Sequence, residues 1–137
     1  MTKQVWLNLP VKDALKAKEF YTAIGFTFLE ERTTPDSACM LVGESNFVVM
    51  LFAETMFQNF IQHTITDTSQ SAEFLISIDA ESREEVDRLA QKVRAAGGNV
   101  FAAPGENQGW MYGCGFCDLE GHRWNVLYMD FSKMPKH

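Results

Sequence analysis

Cys114-Gly115-Phe116-Cys117 is one place where residue types and spacing could do chemistry. A C-x-x-C pair exchanges disulfides when its first sulfur sits near a helix N-terminus, and it holds zinc when the pair forms a tight knuckle. Here the pair falls in a strand-like run, where residues three apart point to opposite faces, so the sulfurs are expected apart and structural. Cys39 reads as a small core hydrophobe. His122 follows the acidic turn Asp118-Leu119-Glu120-Gly121 and has the right type for a base or a ligand. Its expected role in such a turn is to bond local backbone. His63 lies in a polar connection with no partner fixed by spacing and is expected at the surface, and His137 is terminal.

A set of aromatic and amide residues is more informative. Trp6 and Asn8 alternate with Val5, Leu7 and Leu9. If the aliphatic face packs under helices, Trp6 and Asn8 look the other way. The same alternation turns Glu73 together with Leu75, and Asn125 together with Leu127, toward that open side. Gln108-Gly109-Trp110-Met111-Tyr112 is a glycine-punctuated aromatic segment that suits a pocket rim. Apolar walls with a few fixed polar groups characterise small-molecule sites. The competing expectation is that Trp6, Trp110 and Tyr112 fill a dry core. Glu73 is the one charge expected inside, where a carboxylate either pairs with a cation or takes up a proton.

The elements that must position these residues form a unit written twice. Val5 to Val11 alternates as a strand, Asp13 suits an N-cap, and Ala17, Phe20, Tyr21 and Ile24 make one helical stripe closed by Gly25. A strand is expected over Phe26 to Glu31, and a hairpin from Cys39–Val42 to Phe47–Phe52 across Gly43-Glu44-Ser45-Asn46. The second copy starts at Phe74 to Ile78. Ser82 and Glu85 form a capping box, and Val86, Leu89, Ala90, Val93 and Ala96 carry the stripe to Gly97. Strands over Val100–Ala103, Met111–Phe116 and Arg123–Asp130 complete a βαβββ order, with a fraying tail from Phe131 to His137. Between the copies, Met56, Phe57, Phe60 and Ile61 have the spacing of a short amphipathic helix, which is either packing filler or a lid.

Bulk composition limits the partners. The 137 residues suit one domain, with module one at about 4–53, a connection at about 54–72 and module two at about 73–131. A net charge of −6 and the lack of a basic cluster argue against nucleic acid and anionic membranes as partners. No apolar run approaches the roughly 20 residues of a membrane helix. With no leader-like N-terminus and three cysteines, an odd number, the expected location is the cytoplasm with thiols reduced.

A tandem βαβββ pair with strand-Pro10-Val11-x-Asp13-helix-Gly25-Phe26 early, and Asp118-x-x-Gly121-His122 before the last strand, resembles the vicinal oxygen chelate superfamily. That group includes glyoxalase I, fosfomycin and bleomycin resistance proteins and extradiol dioxygenases. The resemblance covers nearly the whole chain. It implies an α+β fold in which the two modules form a cup around the ligand. The superfamily's metal enzymes place His or Glu at four cup-facing strand positions. Matched motif to motif, these fall on Trp6, Met50, Glu73 and Asn125. Only Glu73 is a good ligand for a divalent ion. The expectation is therefore no metal and no other cofactor.

Three functions stay open on these grounds. The first is a metal-independent binder of a small organic molecule, contacting it through Trp6, Asn8, Met50, Glu73, Trp110, Tyr112 and Asn125. The second is a glyoxalase-type lyase or dioxygenase-type enzyme with a displaced or degenerate site. The third is a protein-interaction scaffold with a closed cup. A homodimer is expected, because two-module members commonly pair to cover exposed sheet edges.

Overall fold

The helix caps show the two halves of the chain repeating one design. The computed structural model describes residues 1–135. Module one runs β1 (Leu7–Val11), α1 (Ala14–Ala23), β2 (Thr27–Phe28), β3 (Ser37–Val42) and β4 (Phe47–Ala53). After α2 (Glu54–Ile61), module two runs β5 (Ile76–Asp79), α3 (Arg83–Ala95), β6 (Asn99–Asn107), β7 (Met111–Cys117) and β8 (Arg123–Met129). At the start of α1 the Asp13 carboxylate accepts the Lys16 N–H at 3.1 Å, and at the start of α3 the Ser82 hydroxyl accepts the Glu85 N–H at 3.1 Å. Glu85 reaches back to the Glu81 N–H at 2.7 Å, one residue ahead of the donor a capping box normally satisfies.

Both helices end in a Schellman motif. The Phe26 N–H donates to the Tyr21 carbonyl at 2.9 Å, and the Gly98 N–H donates to the Val93 carbonyl at 2.9 Å. Each motif turns on a glycine at positive φ, Gly25 at 113° and Gly97 at 92°, a conformation that glycine adopts without a Cβ penalty.

The sheets repeat as well. Strand order is β1-β4-β3-β2 in one and β5-β8-β7-β6 in the other. The first and last strands of each module are parallel neighbours, and the remaining pairs are antiparallel. The architecture is thus α+β, with two βαβββ modules. By compactness the chain divides after Ser71, so the connecting α2 belongs with module one. There it packs on β1 and β4, with the Phe60 ring edge-on to Phe52 at 5.1 Å.

Each sheet buries one face under its helix. In module one, Leu9, Val11, Ala38, Met40, Val49 and Leu51 are buried together with Ala14, Ala17, Phe20 and Tyr21 of α1. In module two, Cys114, Phe116, Trp124 and Val126 are buried with Val86, Ala90 and Val93 of α3. The Phe116 and Trp124 rings stack at 6.0 Å with an interplanar angle of 6°. Each fully buried aliphatic or aromatic side chain contributes about 1.5–3 kcal/mol, so these helix-covered faces hold the modules together.

Several boundaries differ from the sequence expectations. The strand expected over Phe26–Glu31 stops at Phe28 and gives way to a 3-10 turn at Glu30–Arg32. As an edge strand β2 has only β3 to pair with, and its polar continuation gains nothing from staying extended. The strand expected from Phe74 begins at Ile76, because β8, its only neighbour, begins at Arg123 and pairs Trp124 with Ile76. β6 runs longer than expected and passes through Pro104, which an edge strand with register shifts tolerates. Part of the tail is ordered: Phe131–Lys133 form a 3-10 turn capped by Asp130, whose carboxylate accepts the Ser132 N–H at 3.1 Å. Residues 136–137, including His137, lie outside the described residues.

Candidate ligand site

The face of the module-two sheet turned away from α3 follows from strand parity. Cys114 pairs with Val126 and Phe116 with Trp124 on the helix side. The intervening pairs, Gly113 with Leu127 and Gly115 with Asn125, therefore look outward. Two side chains are missing from this face, and Leu127 and Phe101 close in on the places they would occupy. A cavity of about 290 Å³ lies there, lined by Leu75, Phe101, Asn107, Gly113, Asn125 and Leu127 among others.

Neither glycine can be replaced without movement. A Cβ on Gly113 would collide with the Val126 carbonyl oxygen and stand 2.7 Å from Leu127 Cδ2. A Cβ on Gly115 would stand 2.6 Å from two ring carbons of Phe101. The Phe101 ring thus lies close against the Gly115 backbone, and the Arg123 guanidinium lies over the ring, 4.4 Å from its centroid.

Asn125 supplies the polar feature. Its Oδ1 is buried and accepts no hydrogen bond, alone in this among buried side-chain nitrogen and oxygen atoms of the described residues. An unsatisfied buried acceptor costs about 1–3 kcal/mol, so it calls for a partner.

The remaining site candidates are dispersed. Asn8 and Met50 sit side by side on β1 and β4, on the module-one face away from the buried Leu9 and Leu51. Trp6 precedes β1 and is 55% exposed. Glu73 is exposed and stands ahead of β5, so the buried carboxylate expected from the sequence does not occur. Trp110 leaves the cavity to others and packs on Phe131, with ring centroids 5.9 Å apart.

Tyr112 is on the opposite side of its sheet from the one expected. Its hydroxyl donates to Asp87 Oδ1 of α3 at 2.7 Å, and Arg83, which also pairs with Glu106, lies over its ring. The hydrogen bond to Asp87 raises the phenol above its ordinary value, with burial adding to the shift. Tyr112 shares parity with Cys114 and Phe116, so it ties β7 to α3.

The cysteines and His122 behave as structure. Cys114 faces α3 while Cys117 pairs with Arg123 on the open side, so the C-x-x-C sulfurs diverge, and all three cysteines are free and buried. Burial pushes the Cys39 and Cys114 thiols up. His122 is buried in its turn, where its N–H donates to Asp118 Oδ1 at 2.9 Å and its carbonyl accepts the Asp118 N–H at 3.1 Å.

The sequence reading missed Phe101, Asn107, Gly113 and Gly115. Two glycines at period two in a strand were the available signal, since a glycine inside a strand often marks close approach of another group.

The donor set does not fit a divalent metal. Of Trp6, Met50, Glu73 and Asn125, only Glu73 offers a charged ligand. Among the described residues, no three His, Cys, Asp or Glu side chains are grouped to hold an ion. No described helix is long and apolar enough to cross a membrane.

Residues 3–43 match the family model described as bleomycin resistance protein-like N-terminal. A hypothetical protein, SA1046 from S. aureus, has a solved structure that is 35% identical, with a TM-score of 0.84 over 93% of this chain and 95% of that one. A glyoxalase/bleomycin resistance protein/dioxygenase family enzyme from Burkholderia phytofirmans PsJN is 21% identical, with a TM-score of 0.78 over 90% of this chain and 96% of that one. The chain belongs to the vicinal oxygen chelate superfamily. Within that superfamily it also shares its fold with the fosfomycin resistance protein FosX from Listeria monocytogenes, at 17% identity and a TM-score of 0.67 over 93% of each chain. A comparison with curated proteins returns no match. The paired βαβββ modules are the superfamily's.

Proposed function

We propose that this protein binds a small organic molecule on the open face of module two, without a divalent metal at the superfamily's usual positions. The observation that carries this reading is a largely apolar cavity of about 290 Å³ on the open face of module two, with Asn107 and Asn125 as the amide side chains of its lining. Asn125 stands where a metal enzyme of the superfamily has its last ligand. A neutral amide there can hydrogen-bond and orient a ligand, and it supplies no charge to hold an ion. Leu75, Phe101 and Leu127 supply apolar area, with Leu127 close against Gly113 and Phe101 close against Gly115.

Two measurements test this. Elemental analysis of purified protein should find no stoichiometric transition metal. Ligand-observed NMR with a mixture of aromatic fragments should find binders that shift the Asn125 side-chain amide. One Zn, Fe, Mn or Ni per chain, lost on Glu73→Ala, would overturn the metal-free reading. A fragment screen that leaves the Asn125 amide unmoved would overturn the site.

A further inference from the structure

The structure assigns the place over Gly115 to an aromatic ring of the ligand, with the Phe101 side chain as its internal stand-in, displaced when the ligand enters. This rests on the binding reading above and names the ligand's class. Gly115 lacks a side chain, and the Phe101 ring takes up the space: a Cβ there would stand 2.6 Å from two of its ring carbons. The Arg123 guanidinium lies over the same ring, 4.4 Å from its centroid. A phenyl group therefore already sits against strand backbone with a cation over it, at the wall of the cavity.

The stand-in is free to leave. β6 is an edge strand paired only with β7. Asn99 pairs with Cys117 and Ala102 with Gly115, so Val100 and Phe101 together oppose Phe116 alone. Such a bulge takes a residue out of the ladder and re-aims its side chain. Phe101 stands in that bulge and is 41% exposed, so its ring turns outward without breaking the sheet. Leu127, which closes on Gly113, has no such freedom, because it is the partner of Gly113 in the regular β7–β8 ladder.

The vacated place selects the chemistry of what replaces the ring. A guanidinium is attracted to the face of a π-system and gains nothing comparable from a saturated ring. Leu75 and Leu127 offer apolar contact, and no Asp, Glu, Lys or Arg is among the lining residues, so the ring itself is uncharged. Asn125 is the register partner of Gly115, which puts an amide beside the ring for a polar substituent, and Asn107 supplies a second amide to the lining.

The test uses benzyl alcohol and cyclohexylmethanol, alike in size and hydroxyl group but not in aromaticity, titrated into the full-length protein by NMR. Phe101→Ala removes the internal competitor. With the open state populated at about 10% or less, the variant should bind benzyl alcohol about 10-fold tighter than wild type, or more. The variant should also prefer benzyl alcohol to cyclohexylmethanol by about 2- to 5-fold, the worth of one exposed cation–π contact, and adding Arg123→Gln should bring that ratio to about 1. In the wild-type protein, nuclear Overhauser contacts from the Phe101 ring to the Gly115 α-protons should weaken as contacts from the benzyl alcohol ring to the same protons appear. Unchanged or weaker binding by Phe101→Ala, or Phe101–Gly115 contacts that persist at saturation, would overturn the displacement and leave the binding site standing. Equal binding of the two alcohols by the variant would overturn the aromatic class. No binding by either protein at tens of millimolar would overturn both this assignment and the proposed site. The wild-type contacts decide the matter even if the variant fails to fold.

Discussion

Alanine at Gly113 and alanine at Gly115 are the same substitution two residues apart on one strand, and the protein should tolerate them differently. Replacing a strand glycine by alanine restricts the unfolded chain and by itself stabilises by about 0.4–1 kcal/mol. At Gly113 the new methyl meets the Val126 carbonyl oxygen, which cannot rotate away without pulling β8 out of its ladder. Overpacking of this kind costs about 1–3 kcal/mol, and a distorted ladder bond adds about 0.5–1.5 kcal/mol. The net expectation for Gly113→Ala is a loss of about 2 kcal/mol, once the unfolded-state gain is subtracted. At Gly115 the obstacle is the Phe101 ring, which is 41% exposed and can turn outward. That movement forfeits the contact with Arg123, worth about 0.5–1 kcal/mol at an exposed site, and the unfolded-state gain offsets it. Gly115→Ala should therefore be nearly neutral.

Urea unfolding followed by tryptophan fluorescence reads the difference, since Trp124 is fully buried in module two. At a common m-value the two midpoints should differ by the equivalent of about 2 kcal/mol, or about 6–10 °C in thermal midpoint for a chain of this size. Midpoints within about 0.5 kcal/mol of each other, or a Gly115→Ala variant weaker than Gly113→Ala, would refute the claim that backbone on one side and a movable ring on the other decide the outcome.

Further expectations concern other groups. Cys39, Cys114 and Cys117 should react with a thiol reagent only after denaturant is added, because all three are buried and burial raises two of the thiols; fast labelling of the native protein would contradict this. The Tyr112 phenol should titrate above its ordinary value because it donates to Asp87, so its contribution to stability is complete below about pH 10 and is lost as pH rises through the folded value. Alkaline absorbance titration of wild type against Tyr112→Phe isolates it, and an ordinary value would remove the bond to Asp87. Ser82→Ala should cost about 1 kcal/mol in urea midpoint, and no change would mean the α3 cap is made by Glu85 alone. With Val5, Trp6 and Phe60 well exposed, light scattering at micromolar concentration should give the mass of two chains, and a one-chain mass would exclude the homodimer.

Local chemistry was legible in the sequence because it depends on residues close in the chain. Asp13, Ser82, Gly25 and Gly97 cap the helices where their types require, and the alternation along β1 and β8 places Asn8 and Asn125 opposite the buried aliphatics. Tertiary structure decided what depends on neighbours. Alternation says that Tyr112 and Gly113 face opposite ways, but the pairing of Cys114 with Val126 under α3 determines which of them faces the cavity. Glu73 is exposed ahead of the sheet because β5 begins only at Ile76, where β8 offers a partner. Phe101 could not be placed by counting, since the register shifts in β6 break the period of two on which counting relies. Its ring reaches Gly115 through a contact across strands, and no run of the sequence records that contact.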